Sequence, residues 1–372
     1  MRKKDQPDYF LLGTIGALMV FGILILTGVS APISMEKFGS TFYYLKHQLI
    51  FGLIPGIFLA FIAFKVKISF LRKWAPLLLL VNIILMVLVF FPKIGSGTQG
   101  ASRWLNLGPL SFQPSEFLKI SFFLYLASWL SSKDFLRIKK SSYSKGNLLG
   151  FAAFLVIIGM VSLLLILQPD ISTLVVIVLV AGVMYFLAET PLWHTAVVTL
   201  GGLGGLLALI KIAPYRMARF LVFLKPETDP MGMGYHLKQS LIAIGSGGFW
   251  GLGLGLSHQK FGFLPGTIAD SIFAIFAEEA GFIGSIILIS LFLLFFWRGF
   301  KISKRTSNDF YRFLGLGLTF WLVFQAFVNI GAMIGILPLT GIPLPFISYG
   351  GSAMVAELIG VGILLNISKN VR

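Results

Sequence analysis

The length of its uncharged runs restricts this chain more than any other feature. Residues 148–167 carry no charged side chain, and about 20 such residues are what a helix needs to cross a hydrocarbon core of roughly 30 Å. Inside lipid every backbone polar group must be paired within the protein, which leaves helices or a closed barrel. Barrel strands would alternate polar and apolar residues over about ten positions, and nothing here alternates. Charged residues make up 12% of the chain, against roughly 25% in a soluble domain. The expected fold is all-α: a polytopic membrane helical bundle with about ten transmembrane helices, single-domain over 1–372, with irregular extracytoplasmic loops.

Spans are expected near 9–29, 46–64, 74–91, 115–131, 147–167, 171–188, 191–212, 270–297, 310–335 and 347–367. The run from Tyr9 to Val29, after Arg2, Lys3 and Lys4, is long for a cleaved signal and reads as an anchor. The excess of 30 Lys+Arg over 14 Asp+Glu is explained by topology rather than by nucleic acid. Arg2 to Lys4, Lys65 to Lys73, Lys133 to Lys145, Arg298 to Arg312, Lys369 and Arg372 all fall on one side of the ten-span frame. By the positive-inside rule that side, with both termini, is cytoplasmic. The other side keeps Lys37, Lys46, Lys93 and Arg103, plus a basic group in one long loop.

Three irregular segments share this outer side. Residues 213–269 form a large extracytoplasmic loop between spans seven and eight, with Arg216, Arg219, Lys225, Lys238 and Lys260 and the run Gly245-Ser246-Gly247-Gly248. Residues 92–114 are too polar to span, and the segment before the last span carries Pro338, Pro343, Pro345 and Ser348-Tyr349-Gly350-Gly351-Ser352. The long loop reads either as a tail exported regardless of charge or as an anion site at the outer surface. The function is expected where the three meet.

Ionisable groups inside spans need a partner or a purpose. Glu116 and Lys119 lie three apart, on one helix face, as an ion pair that either orients helices or faces substrate. Asp170, after Gln168-Pro169, either caps the next helix or meets substrate. Asp270, at the outer start of the eighth span, reads either as an N-cap or as a general base beside a basic surface. Glu278 and Glu279 lie deeper on the same helix. No cysteine is present, so disulfides and thiolate sites are excluded. The four histidines, His47, His194, His236 and His258, show no metal-ligand spacing. From the residues alone the reading is a transporter or a membrane transferase handling an anionic ligand on the outer side.

At these residues the chain resembles the SEDS family, the FtsW/RodA/SpoVE proteins, through seven motifs in order over nearly its whole length. They are Gly100-Ala-x-Arg103-Trp104, Gln113-Pro114-Ser115-Glu116-x-x-Lys119 and Gln168-Pro169-Asp170. Next come Tyr215-Arg216-x-x-Arg219 with Asp229-Pro230, and Gly234-Tyr235-His236-x-x-Gln239-Ser240. Last are Leu264-Pro265 with Asp270-x-x-Phe273-Ala274-x-x-x-Glu278-Glu279-x-Gly281, and Pro343-x-Pro345-x-x-Ser348-Tyr349-Gly350-Gly351-Ser352. The run Gly255-Leu-Ser-x-Gln259-Lys260-Phe261 looks closer to division-type FtsW than to RodA. The family commonly has an acidic residue where Gly266 stands and a threonine where Ala269 stands.

The resemblance implies a peptidoglycan glycosyltransferase of the bacterial cytoplasmic membrane that polymerises lipid II on its outer face, for division or elongation. It makes Asp270 the catalytic residue and places Glu116 and Lys119 on the same cavity. Arg103, Lys119, Arg216 and Arg219 are the expected cations for the pyrophosphate, with Asp170 and Ser348 as further substrate-binding residues. No cofactor is required, although a divalent cation such as Mg can share the pyrophosphate charge and the sequence shows no cage for one. The expected partners are a class B penicillin-binding protein and other divisome or elongasome membrane proteins, with no nucleic acid. The competing readings are a lipid II flippase, with Glu116, Lys119, Glu278 and Glu279 along a polar path, and a non-catalytic scaffold.

Overall fold

A computed structural model describes residues 6–91, 94–98, 101–107, 110–132, 135 and 145–370. Of the residues singled out above, Arg2, Lys3, Lys4, Lys93, Gly100, Lys133, Arg137, Lys139, Lys140 and Arg372 lie outside the described residues. All ten expected spans are helical: α1 Tyr9–Phe38, α2 Tyr43–Lys65 (with a π turn at Leu49–Leu53), α3 Ile68–Leu88, α4 Pro114–Leu130, α5 Lys145–Leu167, α6 Ile171–Leu187 and α7 Leu192–Ile212. On the outer side follow α8 Pro214–Leu224 and α9 Met233–Ser246, then α10 Ile272–Arg305, α11 Asp309–Met333 and α12 Gly351–Ser368. Eight are long and apolar enough to cross a membrane; α4 and α6, 17 residues each, occupy the fourth and sixth positions.

Local signals set the helix ends. Asp8 Oδ1 accepts from Leu11 N at 3.0 Å to start α1, and Gly39, in the left-handed region, closes it. Pro114 opens α4 at a position where its missing N–H is not needed. Asn308 Oδ1 accepts from Phe310 N at 2.9 Å to start α11.

One face of the bundle is fixed by bonds between chain-distant ends. Arg298 forks onto Asp8 at 2.7–3.0 Å, and Asp8 N donates to Ser368 Oγ at 2.9 Å. Arg72 donates to Ser131 O at 3.0 Å and lies over the Phe310 ring. Asn366 Nδ2 donates to Ala63 O and Val66 O. The start of α1, the α2–α3 and α10–α11 turns, and the ends of α4 and α12 therefore share a face, as an even number of crossings requires. Buried α11 and α12 form the centre, whereas α7 stands at the edge with its apolar window exposed.

Two features depart from the sequence reading. Within the outer segment 92–114 the described residues form a small antiparallel sheet, β1 Gly95–Thr98, β2 Ala101–Leu107 and β3 Leu110–Phe112, with Leu105 paired to both Gly95 and Phe112. Strands of four, seven and three residues are too short for alternation to show. The second is a break in α10 at Gly281 (φ 67°, ψ −163°), where the backbone of Phe249–Gly251 packs so closely that any Cβ would collide with it.

Candidate active site

In chain order, the second and third outer segments meet at Asp270, and the first reaches the third where Gln113 N donates to Ser352 Oγ at 3.1 Å. The Asp270 turn starts at Gly266 (φ 66°), whose carbonyl accepts from Ala269 N at 2.9 Å and Ser271 N at 3.2 Å. A Cβ at Gly266 would collide with Asp270 Oδ1, so glycine there suits both the left-handed backbone and the room the carboxylate occupies. The turn is held from three sides. Asn329 of α11 donates through Nδ2 to Asp270 O at 2.8 Å and to Ile342 O at 2.9 Å. Ser348 Oγ donates to Ala269 O, and Tyr349 N to Ile268 O at 2.8 Å. From α9, His236 Nε2 lies 2.7 Å from Ser271 Oγ, which donates to Pro265 O at 2.7 Å. The hydroxyl's one hydrogen is then used, so His236 Nε2 is the donor in that pair.

Asp270 is not a helix cap: the cap position of α10 is Ser271. Burial pushes the Asp270 carboxyl up to about 6, opposed by its own backbone N–H, by Arg219 and by the Ser271 N–H. Burial lowers His236, and Arg219 lowers it further. A half-buried carboxylate with a displaced pKa beside a cation is the setting a general base needs. Asn329 stands about 29 Å along α11 from Phe310 at 1.5 Å per residue, which puts Asp270 at the far edge of a hydrocarbon core of roughly 30 Å.

A second polar cluster lies within the bundle. Lys119 Nζ pairs with Glu116 Oε2 at 2.7 Å and donates to Gln325 Oε1 at 2.8 Å. Trp321 Nε1 donates to the same Gln325 oxygen at 2.9 Å, and Gln325 Nε2 reaches Pro343 O at 3.1 Å and Glu357 Oε1 at 3.4 Å. Glu357 Oε2 accepts from Phe346 N at 2.8 Å. The cluster thus ties α4, α11 and α12 to the segment that carries Ser348.

The other expected residues separate by what they touch. Arg103 donates through Nε to Gln168 O at 3.2 Å and through Nη2 to Pro169 O, closing the end of α5. Asp170 caps α6, accepting from Thr173 N at 3.4 Å, while its Oδ2 is buried without a hydrogen-bond partner. Arg216 lies against Tyr215 and donates to Leu209 O at 3.3 Å. Arg219, exposed on α8, is the cation that acts on Asp270. Glu278 accepts from His258 N at 3.1 Å and from Ser257 Oγ. Glu279 accepts from Lys260 Nζ at 2.9 Å and Ser257 N at 3.3 Å. These two acids fold residues 257–260 onto α10 instead of lining a path through the bundle. Among the described residues no group of three or more His, Asp or Glu side chains is placed to hold a metal ion.

Sequence reasoning missed Asn329, Gln325 and Glu357. A signal existed for each: Trp321, Gln325 and Asn329 recur every four residues along an apolar span, and Glu357 is a carboxylate inside the last one.

Comparison with known proteins follows the same outline. The family model described as Cell cycle protein, FTSW_RODA_SPOVE, matches residues 9–372. Stage V sporulation protein E of Bacillus subtilis (strain 168) is 38% identical over 367 residues, covering 99% of this chain and 98% of that one. A protein of Coxiella burnetii named probable peptidoglycan glycosyltransferase FtsW is 39% identical over 355 residues, 95% of this chain and 93% of that one. A structure titled for the coordination of polymerization and crosslinking by a peptidoglycan synthase complex superposes with a TM-score of 0.77 at 28% identity, over 97% of each chain. The crystal structure of the rod shape determining protein RodA of Thermus thermophilus gives 0.71 at 27% identity, over 98% of this chain and 97% of that one.

Proposed function

From the premise that this chain belongs to the FtsW/RodA/SpoVE cell cycle protein family, we propose that it joins the sugars of lipid II with Asp270 as its base. The protein is a multi-pass membrane peptidoglycan glycosyltransferase. In the proposed step the acceptor hydroxyl attacks the donor's anomeric carbon, its proton passes to Asp270, and the bond to the undecaprenyl pyrophosphate breaks. A positioned carboxylate contributes typically about 10²–10⁴-fold to such a step. Negative charge gathers on the leaving pyrophosphate, and Arg219, close enough to act on Asp270, is the cation best placed to meet it. Arg216, on the surface helix with Arg219, is a further substrate-binding residue, whereas Lys119, buried on Glu116 and Gln325, supports the site from within the bundle. A divalent cation such as Mg would arrive with the pyrophosphate, since the nearby acids are single carboxylates rather than a convergent set.

The observation that carries this reading is the Asp270 turn, held by α9, α11 and the Ser348 segment at hydrocarbon-edge depth beside Arg219. A lipid-linked substrate presents its pyrophosphate at that depth. The basic face that holds Arg298 and Lys304 is the cytoplasmic one, with both termini. The partner is a class B penicillin-binding protein, as the synthase-complex relative suggests. The test is lipid II supplied to purified protein with its partner in detergent. Glycan polymer is expected, and it cannot arise from flipping where no sides exist. Substrate recovered unpolymerised with every partner and metal tried would favour transport.

A further inference from the structure

Between α9 and the turn that carries Asp270 lies a stretch whose side chains and backbone point to different solvents. Phe249, Trp250, Leu254 and Leu256 are 59–80% exposed, an apolar surface that water would not favour. Yet the first half of its backbone is tied into the protein. Leu252 N and Gly253 N donate to Glu278 O and Glu279 O, both at 3.0 Å, while Gly248 O and Phe249 O accept from Phe282 N and Ile283 N at 2.9 and 3.3 Å. The break at Gly281 makes this exchange available, because it frees groups of α10 that a continuous helix would consume. Irregular backbone at membrane depth needs such pairing, and the N–H groups of Leu254 and Gly255, which have no protein partner among the described residues, mark the water-facing limit of the stretch.

Depth along α10 agrees. The Phe249 ring stacks on Phe282 with centroids 5.6 Å apart. Phe282 is about 24 Å from Arg298 along the helix at 1.5 Å per residue, inside a hydrocarbon core of roughly 30 Å that begins near Arg298. The exposed face of α10, with Phe282, Ile286, Leu293 and Trp297, continues without interruption onto Phe249 and Trp250.

We propose that residues 249–253 are immersed in the outer leaflet, with their apolar side chains against lipid acyl chains, and are not part of an aqueous loop. The stretch is then a wedge that fixes the height of the Asp270 turn relative to the bilayer. The chain has no cysteine, so single-cysteine labelling needs no background removal. Full-length protein carrying Leu252→Cys, and separately Trp250→Cys, is labelled with a nitroxide in phosphatidylethanolamine/phosphatidylglycerol vesicles. Accessibility to oxygen and to a nickel chelate is read by power-saturation electron paramagnetic resonance. Ile286→Cys on α10 is the lipid control, and Met231→Cys, 93% exposed in the polar part of the loop, is the aqueous control. Labels at 252 and 250 are expected to match 286, high in oxygen and low in nickel accessibility. A match to 231 overturns the proposal. So does nickel accessibility that disappears only when the transpeptidase partner is added, which would make the face a protein contact. Shielding from both reagents in the protein alone overturns it too, as protein packing.

Discussion

At Asp270, burial and the Arg219 charge act in opposite directions on one carboxyl, and the pH dependence of transfer should report both. A base must be ionised to accept a proton. With its pKa raised to about 6, kcat/KM is expected to rise with pH through about 6, well above the ordinary carboxylate range near 4. Arg219 lowers that pKa, so Arg219→Ala should move the rising limb to higher pH. The same change should also lose roughly ten- to hundredfold in kcat/KM at the plateau, the worth of one charge-assisted hydrogen bond of about 1.5–3 kcal/mol. A pH–rate profile of both proteins checks the pair of effects; an unmoved limb would separate Arg219 from the base. Asp270 itself was legible because a lone carboxylate followed a basic, glycine-rich segment. What its neighbours do was not, since the bonds of Asn329 and Ser348 run to backbone carbonyls far away in sequence.

Among the elements, α11 has the most to lose. Its Asn329 makes two bonds that hold the Asp270 turn, so Asn329→Leu should lower kcat while leaving the KM for lipid II nearly unchanged. Steady-state kinetics decides it, and a rise in KM alone would assign Asn329 to substrate. One turn inward on the same helix, Gln325 accepts from Lys119, whose side chain is 1% exposed. Lys119→Met strands Glu116 as a buried charge, a change on the order of 3–5 kcal/mol, and the pair Lys119→Met with Glu116→Gln should recover most of it. Thermal unfolding in detergent measures both, and an unshifted single variant would show the pair to be dispensable. The ten helices were readable because lipid demands long uncharged runs. The break at Gly281 was not, because Ala280-Gly281-Phe282 reads as ordinary helix until the Phe249–Gly251 backbone is placed against it. The Glu116–Lys119 pair was readable from its spacing, and Glu357, a carboxylate inside the last span, was legible as a residue in need of a partner, although its bond to Phe346 N was not.

Across the whole molecule the short connections on one face are basic, and the irregular segments, with the basic group of the long loop, lie on the other. Reporters fused after Lys140 and Lys304 should read cytoplasmic, and one placed within 226–230 should read outside. One side for both groups would overturn the span order and move the candidate site to the wrong compartment. The irregular face joins Gln113 to Ser352 and Ser348 to Ala269, so the last outer segment links the first to the turn that carries one carboxylate. That carboxylate is the account's central claim. Asp270→Asn is nearly isosteric and still offers a backbone carbonyl to Asn329, but an amide cannot take the acceptor's proton. Purified Asp270→Asn protein and the unchanged protein, each with the partner transpeptidase, are compared for glycan formed from lipid II, beside their melting temperatures. The expected result is equal melting, equal partner binding and no polymer from the variant. Polymer at the unchanged rate from a folded Asp270→Asn protein would contradict the account.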